Sequence, residues 1–401
     1  MLLLGKIKEH FMKVVGLIAE YNPFHNGHQF HIEQAKTLTG ADYAVVVMSG
    51  DFVQRGEPAI MPKHLRAKSA LQCDADLVIE LPVSYATGSA EQFAFGAVSM
   101  LEKLGVIDTI CFGSECGDIA ILSDIAGILT TESDEYKASL QKHLRTGVSF
   151  PVAREMAIKE LFPDKNYDQI LGEPNNILGI EYIKALLKLN SNIKPYTITR
   201  KGSNYHDENL SEKFSSASAI RNAVKSNSLD ELKEQVPENT WKNLHTPIYP
   251  NDFSLLLKYR LLNETKESLC EYTDVSEELA NRIYNRRNEF VTFEQFCKLL
   301  KTKELTYARI SRALLHILLK CKKSDINDIS YARVLGFHTD STEVMTEIKK
   351  RGCISLVTKL SAFEHPMIER DIYASHIYQT IVTDKFKTTF QNEYEHPVVR
   401  I

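Results

Sequence analysis

Two histidines three residues apart, with a glycine between them, stand in the run His25-Asn26-Gly27-His28. Imidazoles at that spacing can both donate hydrogen bonds to one phosphate and stabilise charge developing on its oxygens. Gly27 lets backbone approach a ligand closely. Much later comes Phe214-Ser215-Ser216-Ala217-Ser218-Ala219-Ile220-Arg221, where serine hydroxyls can cap a helix start or hold phosphate oxygens. Arg200-Lys201 supplies two adjacent cations suited to a triphosphate, or else a solvated charge pair. The sequence shows neither a carboxylate pair arranged for hydrolysis nor a nucleophile with its base. The chemistry these residues suit is orientation and charge stabilisation, not covalent catalysis.

Strand ends and helix starts must position them. Val14-Val15-Gly16-Leu17-Ile18-Ala19 has the length and branching of a buried strand, and Asn22-Pro23 starts a turn. A helix from about Phe30 to Leu38 follows, so the histidines sit at a helix N-terminus whose free N–H groups and dipole favour anions. Tyr43–Met48 forms a second strand ending at Ser49-Gly50-Asp51. From there Asp51 and Arg55 can line the site, unless Asp51 only caps a turn. Pro62–Gln72 reads as a helix with Lys63, Arg66 and Lys68 on its outer side. Leu77–Pro82 is a strand, Glu91–Leu104 an apolar helix, and Thr109–Phe112 a strand running into Gly113-Ser114-Glu115. Residues 118–170 carry two helices and no chemical motif. Asn175 or Asn176 caps the next helix, and Pro195–Thr199 is a strand ending at Arg200. Buried-type strands alternating with helices predict an α/β fold, a Rossmann-like doubly wound parallel sheet with its ligand at the carboxyl strand ends.

Beyond the proline-bearing stretch Thr246–Asp252 the pattern turns helical: Phe253–Leu262, Glu277–Arg287, Phe293–Leu300 and Leu305–Leu319. The expected division is therefore an N-terminal extension over 1–11, a nucleotide-binding domain over 12–248 and a mainly α-helical domain over 249–401. The chain's net charge is −4, yet residues 281–323 hold eleven Lys and Arg against three Glu. Arg282, Arg286, Arg287, Arg309 and Arg312 recur there at helical spacings near Tyr284 and Tyr307, as a phosphate-backbone surface requires, although basic faces are also commonly just solvated. Seven scattered cysteines without a CxxC pair argue against a disulfide framework or a zinc site. No apolar run approaches the roughly 18 residues that span a bilayer, and a cytoplasmic protein is expected.

The run Ile18-Ala19-Glu20-Tyr21-Asn22-Pro23-Phe24-His25-Asn26-Gly27-His28-Gln29-Phe30-His31, followed by Ser49-Gly50-Asp51-Phe52-Val53-Gln54-Arg55-Gly56, resembles the bacterial tRNA(Met) cytidine acetate ligases of the HxGH nucleotidyltransferase superfamily. Phe214–Arg221 resembles the second superfamily signature, ISSTxIR, with Phe214 and Ser218 as departures. The resemblance spans most of the chain from Val14 onward. It implies ATP bound by the whole run from Ile18 to His31 with Gly113, Asn175, Arg200, Lys201, Ser215 and Ser216, Mg2+ accompanying the phosphates, and no protein metal site. It implies catalysis by His25, His28 and Asp51, acetate activated as acetyl-adenylate, and acetyl transfer to the wobble cytidine of elongator tRNA(Met). The basic helical region would then bind tRNA, with neither DNA nor a membrane as partner. A cofactor-forming adenylyltransferase would share the histidines without needing a basic helical domain. A tRNA-binding protein with a relic nucleotide site would keep the basic face and tolerate loss of His25 or His28.

Overall fold

The computed structural model describes residues 12–165, 167–200 and 214–401. Its spine is a parallel sheet formed by the apolar segments expected to be strands. β1 (Val14–Ala19) leads into helix α1 (Asn26–Thr39), β2 (Tyr43–Ser49) and a short hairpin of β3 (Phe52–Val53) and β4 (Glu57–Pro58). Helix α2 (Lys63–Leu71), β5 (Leu77–Leu81), β6 (Thr109–Ser114) and β7 (Lys194–Thr199) follow. The spatial order β5-β2-β1-β6-β7 is parallel throughout, with Val14 opposite Tyr43 and Thr109 opposite Lys194. Period-two alternation explains why the strands read as unbroken apolar runs. Val14, Val45 and Val47 face helices 90–104 and 174–188, while Val15, Leu17 and Val46 face α1 and α2. The chain reverses direction across the sheet between β1 and β6, which opens a crevice at their carboxyl ends.

Several expectations shift. α1 begins at Asn26, not near Phe30, because His25 itself caps it. Residues 118–170 hold four helices where two were expected. Beyond residue 249 the helices expected from the pattern are present, and their core includes Phe253, Leu257, Ile310 and Leu314. Residues 331–401 divide: helix 366–386 packs on that core through Ala374, Tyr378 and Ile381, while the strands leave it. β8 (Tyr331–Phe337) returns to pair antiparallel with β5, and β9 (Ser355–Val357) and β10 (Val399–Arg400) pair with β8, extending the same sheet. β8 carries Arg333 in its centre, which hid an otherwise apolar strand.

That arginine belongs to a buried ion cluster. Lys63 Nζ lies 2.7 Å from Glu80, 3.0 Å from Glu393 and 2.7 Å from the Ser375 hydroxyl, while Arg333 pairs with Glu80 at 2.8 Å and with Glu393. Lys63 and Arg66 therefore do not lie on an outer face of α2; both are fully buried. Burial alone would raise the Glu393 carboxyl, but Lys63, His64 and Arg333 hold it far below the usual carboxylate range. Removing one partner of such a cluster leaves an uncompensated buried charge. Arg333→Ala is expected to lower unfolding free energy by about 3–5 kcal/mol in urea melts. An effect under about 1 kcal/mol, the range of a surface pair, would contradict the cluster's structural role.

Candidate functional site

The crevice is built from strand ends. Ile18 and Ala19 end β1, Gly113 ends β6, and Ile198, Thr199 and Arg200 follow from β7. Opposite them stand His25, Gly27, His28 and His31 on α1, and Ser215, Ser216 and Arg221 at the start of helix 217–225. Gln54 and Arg55, at the tip of the β3–β4 hairpin, line a third side, and Phe93, Phe112, Leu178 and Tyr182 form an apolar end.

The two histidines are fixed by the helix start they create. His25 Nδ1 accepts the Gly27 N–H at 3.1 Å, and His28 Nδ1 accepts the His25 N–H at 3.3 Å, a reciprocal capping box. With Nδ1 accepting, each neutral ring carries its proton on Nε2 and presents a donor. The rings stack at 3.7 Å, and Tyr21 packs edge-on against His28 at 4.9 Å. Burial, then the neighbouring Arg200 and Arg221 charges, push the His25 imidazole down to about 3. Burial and His25 lower His28 well below its ordinary value. The pair is thus neutral and preset as two N–H donors, suited to charge developing on a phosphate. Gly27 serves this arrangement directly: a Cβ there would lie 2.9 Å from the His25 ring, so the close approach is to the His25 imidazole itself.

The rest of the crevice lining converges from distant sequence. Ser216 caps its helix by accepting the Ala219 N–H at 3.0 Å, leaving that helix start facing the crevice. Arg221 donates to the Asn22 carbonyl at 2.7 Å and to Ser218 at 3.1 Å, which ties the second signature to the loop before His25. This gives Ser218 a concrete role as a partner of Arg221. Arg200 donates to the Asn175 side chain at 3.3 Å. Helix 174–188 is not capped by either asparagine. The Glu115 carboxylate accepts the Asn175 and Asn176 N–H groups, and the Asn176 side chain binds back to the 115–116 backbone.

Some expected site residues lie elsewhere. Asp51 does not line the crevice: it is buried, and its carboxylate accepts the Lys63 N–H at 2.8 Å, starting α2. Phe24 is a core side chain, and Pro23 is likewise not part of the lining. Asn26 reaches the Glu234 carbonyl at 2.7 Å, and Gln29 turns outward to Glu33 at 3.0 Å. Lys201 lies outside the described residues. The aromatic end of Phe93, Phe112 and Tyr182 was missed, since apolar side chains in core helices and strands carry no mark of facing a cavity. In the helical region, Arg282 caps the Leu300 carbonyl at 2.8 Å, Arg286 pairs with Glu289 at 3.0 Å, and Arg287 donates to the Glu264 carbonyl at 2.9 Å. Arg312 is held by Asp274 at 2.8 Å. Arg309 has no such partner among the described residues. No group of three or more His, Cys, Asp or Glu among the described residues could hold a metal, and no helix there is long and apolar enough to cross a membrane.

Residues 12–393 match the family model described as HIGH Nucleotidyl Transferase. The chain is 40% identical over 405 residues to a tRNA(Met) cytidine acetate ligase of Thermoanaerobacter sp. (strain X514), covering 97% of this chain and 100% of the relative. It is 42% identical over 383 residues to the enzyme of that name from Clostridium novyi, covering 92% and 96%. Among solved structures it resembles apo Thermotoga maritima TmcAL, with a TM-score of 0.90 at 33% identity over 97% of this chain and all of that one. The same protein bound with alpha-thio ATP aligns with a TM-score of 0.88 over the same shares.

Because His25 resists protonation in the folded protein while an unfolded histidine takes up a proton near 6.5, the unfolded state binds more protons as pH falls from there toward about 3. Stability should therefore fall with falling pH through this window. His25→Gln should flatten that slope in denaturant melts of the free protein between pH 4 and 6.5. An unchanged slope would contradict the neutral imidazole.

Proposed function

This chain belongs to the HIGH nucleotidyl transferases and, within them, to the tRNA(Met) cytidine acetate ligases; on that premise we propose that it activates acetate with ATP and passes the acetyl group to the wobble cytidine of elongator tRNA(Met). The observation that carries this reading is the stacked, neutral His25–His28 pair, facing Arg200, Ser215, Ser216 and Arg221 across one crevice. Adenylation moves negative charge onto the α-phosphate oxygens as the acid's oxygen attacks. Two Nε2–H donors held by their own helix start stabilise that charge without reorganising. Arg200, Arg221 and the helix start at Ser216 suit the β- and γ-phosphates that leave as pyrophosphate. Acyl-adenylate and acceptor amine then meet in the same crevice, and orientation supplies much of the second step.

Magnesium is expected to travel with the triphosphate. Among the described residues no group of three or more His, Cys, Asp or Glu could hold it. A tRNA substrate also fits a cytoplasmic protein. For the tRNA surface, Arg309 with the exposed Lys298, Lys301 and Lys303 is favoured over the arginines already committed to internal partners.

The decisive assay mixes purified protein, labelled ATP, acetate and total bacterial tRNA, and follows AMP with nucleoside mass spectrometry. The expected products are AMP and 4-acetylcytidine confined to elongator tRNA(Met). AMP without a modified nucleoside would move the acceptor elsewhere, and no turnover with any acid would leave a binding protein. His28→Ala should reduce adenylate formation by about 10²–10³, the usual cost of one oxyanion-stabilising donor, while tRNA binding persists. Arg309→Glu should weaken tRNA binding and lower the salt dependence of log K by about one unit. Arg312→Glu should instead lower stability, because it faces Asp274.

A further inference from the structure

The crevice contains three histidines and three arginines but, among the described residues, a single carboxylate, Glu20. It directly follows β1 and is held at both ends. The buried guanidinium of Arg66 donates to its main-chain carbonyl, and its Oε1 accepts the Gln54 N–H at 2.9 Å. Oε2 has no hydrogen-bond partner among the described residues. A lone anion in a cation-lined phosphate site works against binding a triphosphate, so its placement calls for a chemical reason.

The second step of the proposed reaction supplies one, and this inference rests on that reading. The exocyclic amine of cytidine is a poor nucleophile, its lone pair being delocalised into the ring, and it must lose a proton as it acylates. His25 and His28 cannot take that proton, since their Nδ1 atoms already accept backbone N–H groups and their Nε2 atoms are donors. His31 has a buried Nε2 with no hydrogen-bond partner among the described residues, but on the next turn of α1 burial, and then the Arg200 charge, oppose forming an imidazolium there, whereas a carboxylate becomes neutral on taking a proton.

We propose that Glu20 is the proton acceptor for acyl transfer. The amine nitrogen attacks the acyl carbon of the adenylate and the C–N bond forms. The bond from that carbon to the phosphate oxygen breaks, its electron pair leaving on AMP. The amine proton passes to Glu20 Oε2, which later returns it to solvent. The Gln54 N–H holds Oε1, which leaves Oε2 to take the amine proton.

The test separates the two half-reactions in the full-length protein. Acetate-dependent exchange of labelled pyrophosphate into ATP reads the first. Single-turnover transfer from chemically prepared acetyl-adenylate to tRNA reads the second. Glu20→Gln should slow transfer by about 10²–10³, the range for general-base catalysis, and slow it at least about tenfold more than it slows exchange. Azide or formate should restore transfer in Glu20→Ala by about tenfold or more, a rescue that a merely structural defect would not show. Equal losses in both assays without rescue, or transfer near the parent rate, would overturn the assignment. If the unmodified protein performed neither half-reaction, the ligase reading itself would fall, and this step with it.

Discussion

The guanidinium of Arg66 is fully buried and, among the described residues, meets no carboxylate within ion-pairing distance; its N–H groups go to the carbonyls of Glu20, Ser49, Gly50 and Met61. Those four carbonyls lie where β1 and β2 end and where α2 is about to begin. Strand ends at a doubly wound sheet leave carbonyls without ladder partners, and in a buried crevice each would be costly. One planar, many-donor cation answers them together, which a lysine could not do. The loop from Glu20 to His25 therefore departs from a fixed floor. Everything chemical in the site is measured from that floor.

On it, the histidines act twice. Ser, Thr, Asp and Asn are the usual residues at helix starts because their oxygens reach the second or third N–H. Here an imidazole nitrogen does the same work, and that use decides the tautomer. The structural bond on Nδ1 leaves the proton on Nε2, facing the crevice. Burial, and then the Arg200 and Arg221 charges, favour the neutral His25 ring. Capping, tautomer and crevice-side donor are one arrangement, which explains why the pair tolerates a stacking distance that two imidazolium ions would not.

Much of this was legible from residue order. The strand-turn-helix around His25, the serine-rich helix start and the parallel sheet follow from apolar runs, turn residues and caps. What stayed hidden has a common cause: side chains whose type suggests one environment and whose packing supplies another. Lys63 and Arg66 read as an outer face of α2, yet Glu80, Glu393 and four carbonyls lie beneath them. Asp51 read as lining the site because it follows a strand end, but it starts a helix instead. β8 was masked by Arg333, whose partners come from β5 and from residue 393, far along the chain. Phe93, Phe112 and Tyr182 look like any core aromatics, and only the absence of a neighbour on one side makes them a pocket wall.

The helical region is not merely tethered to this site. Gly56, with φ +75°, turns the β3–β4 hairpin so tightly against helix 307–319 that a Cβ would lie 2.3 Å from the Arg312 nitrogen. The Ser311 hydroxyl donates to the Gly56 carbonyl at 2.8 Å. Two residues back on the same tip, the Gln54 N–H holds the Glu20 carboxylate. A helix whose first turn carries Arg309 thus rests on the loop that orients the only described carboxylate in the crevice. Packed backbone transmits displacement poorly in small increments, because close-packed contacts shift between discrete arrangements instead of stretching. A load placed along helix 307–319 would therefore bear on the hairpin as a rigid unit and, through Gln54, on the Glu20 carboxylate.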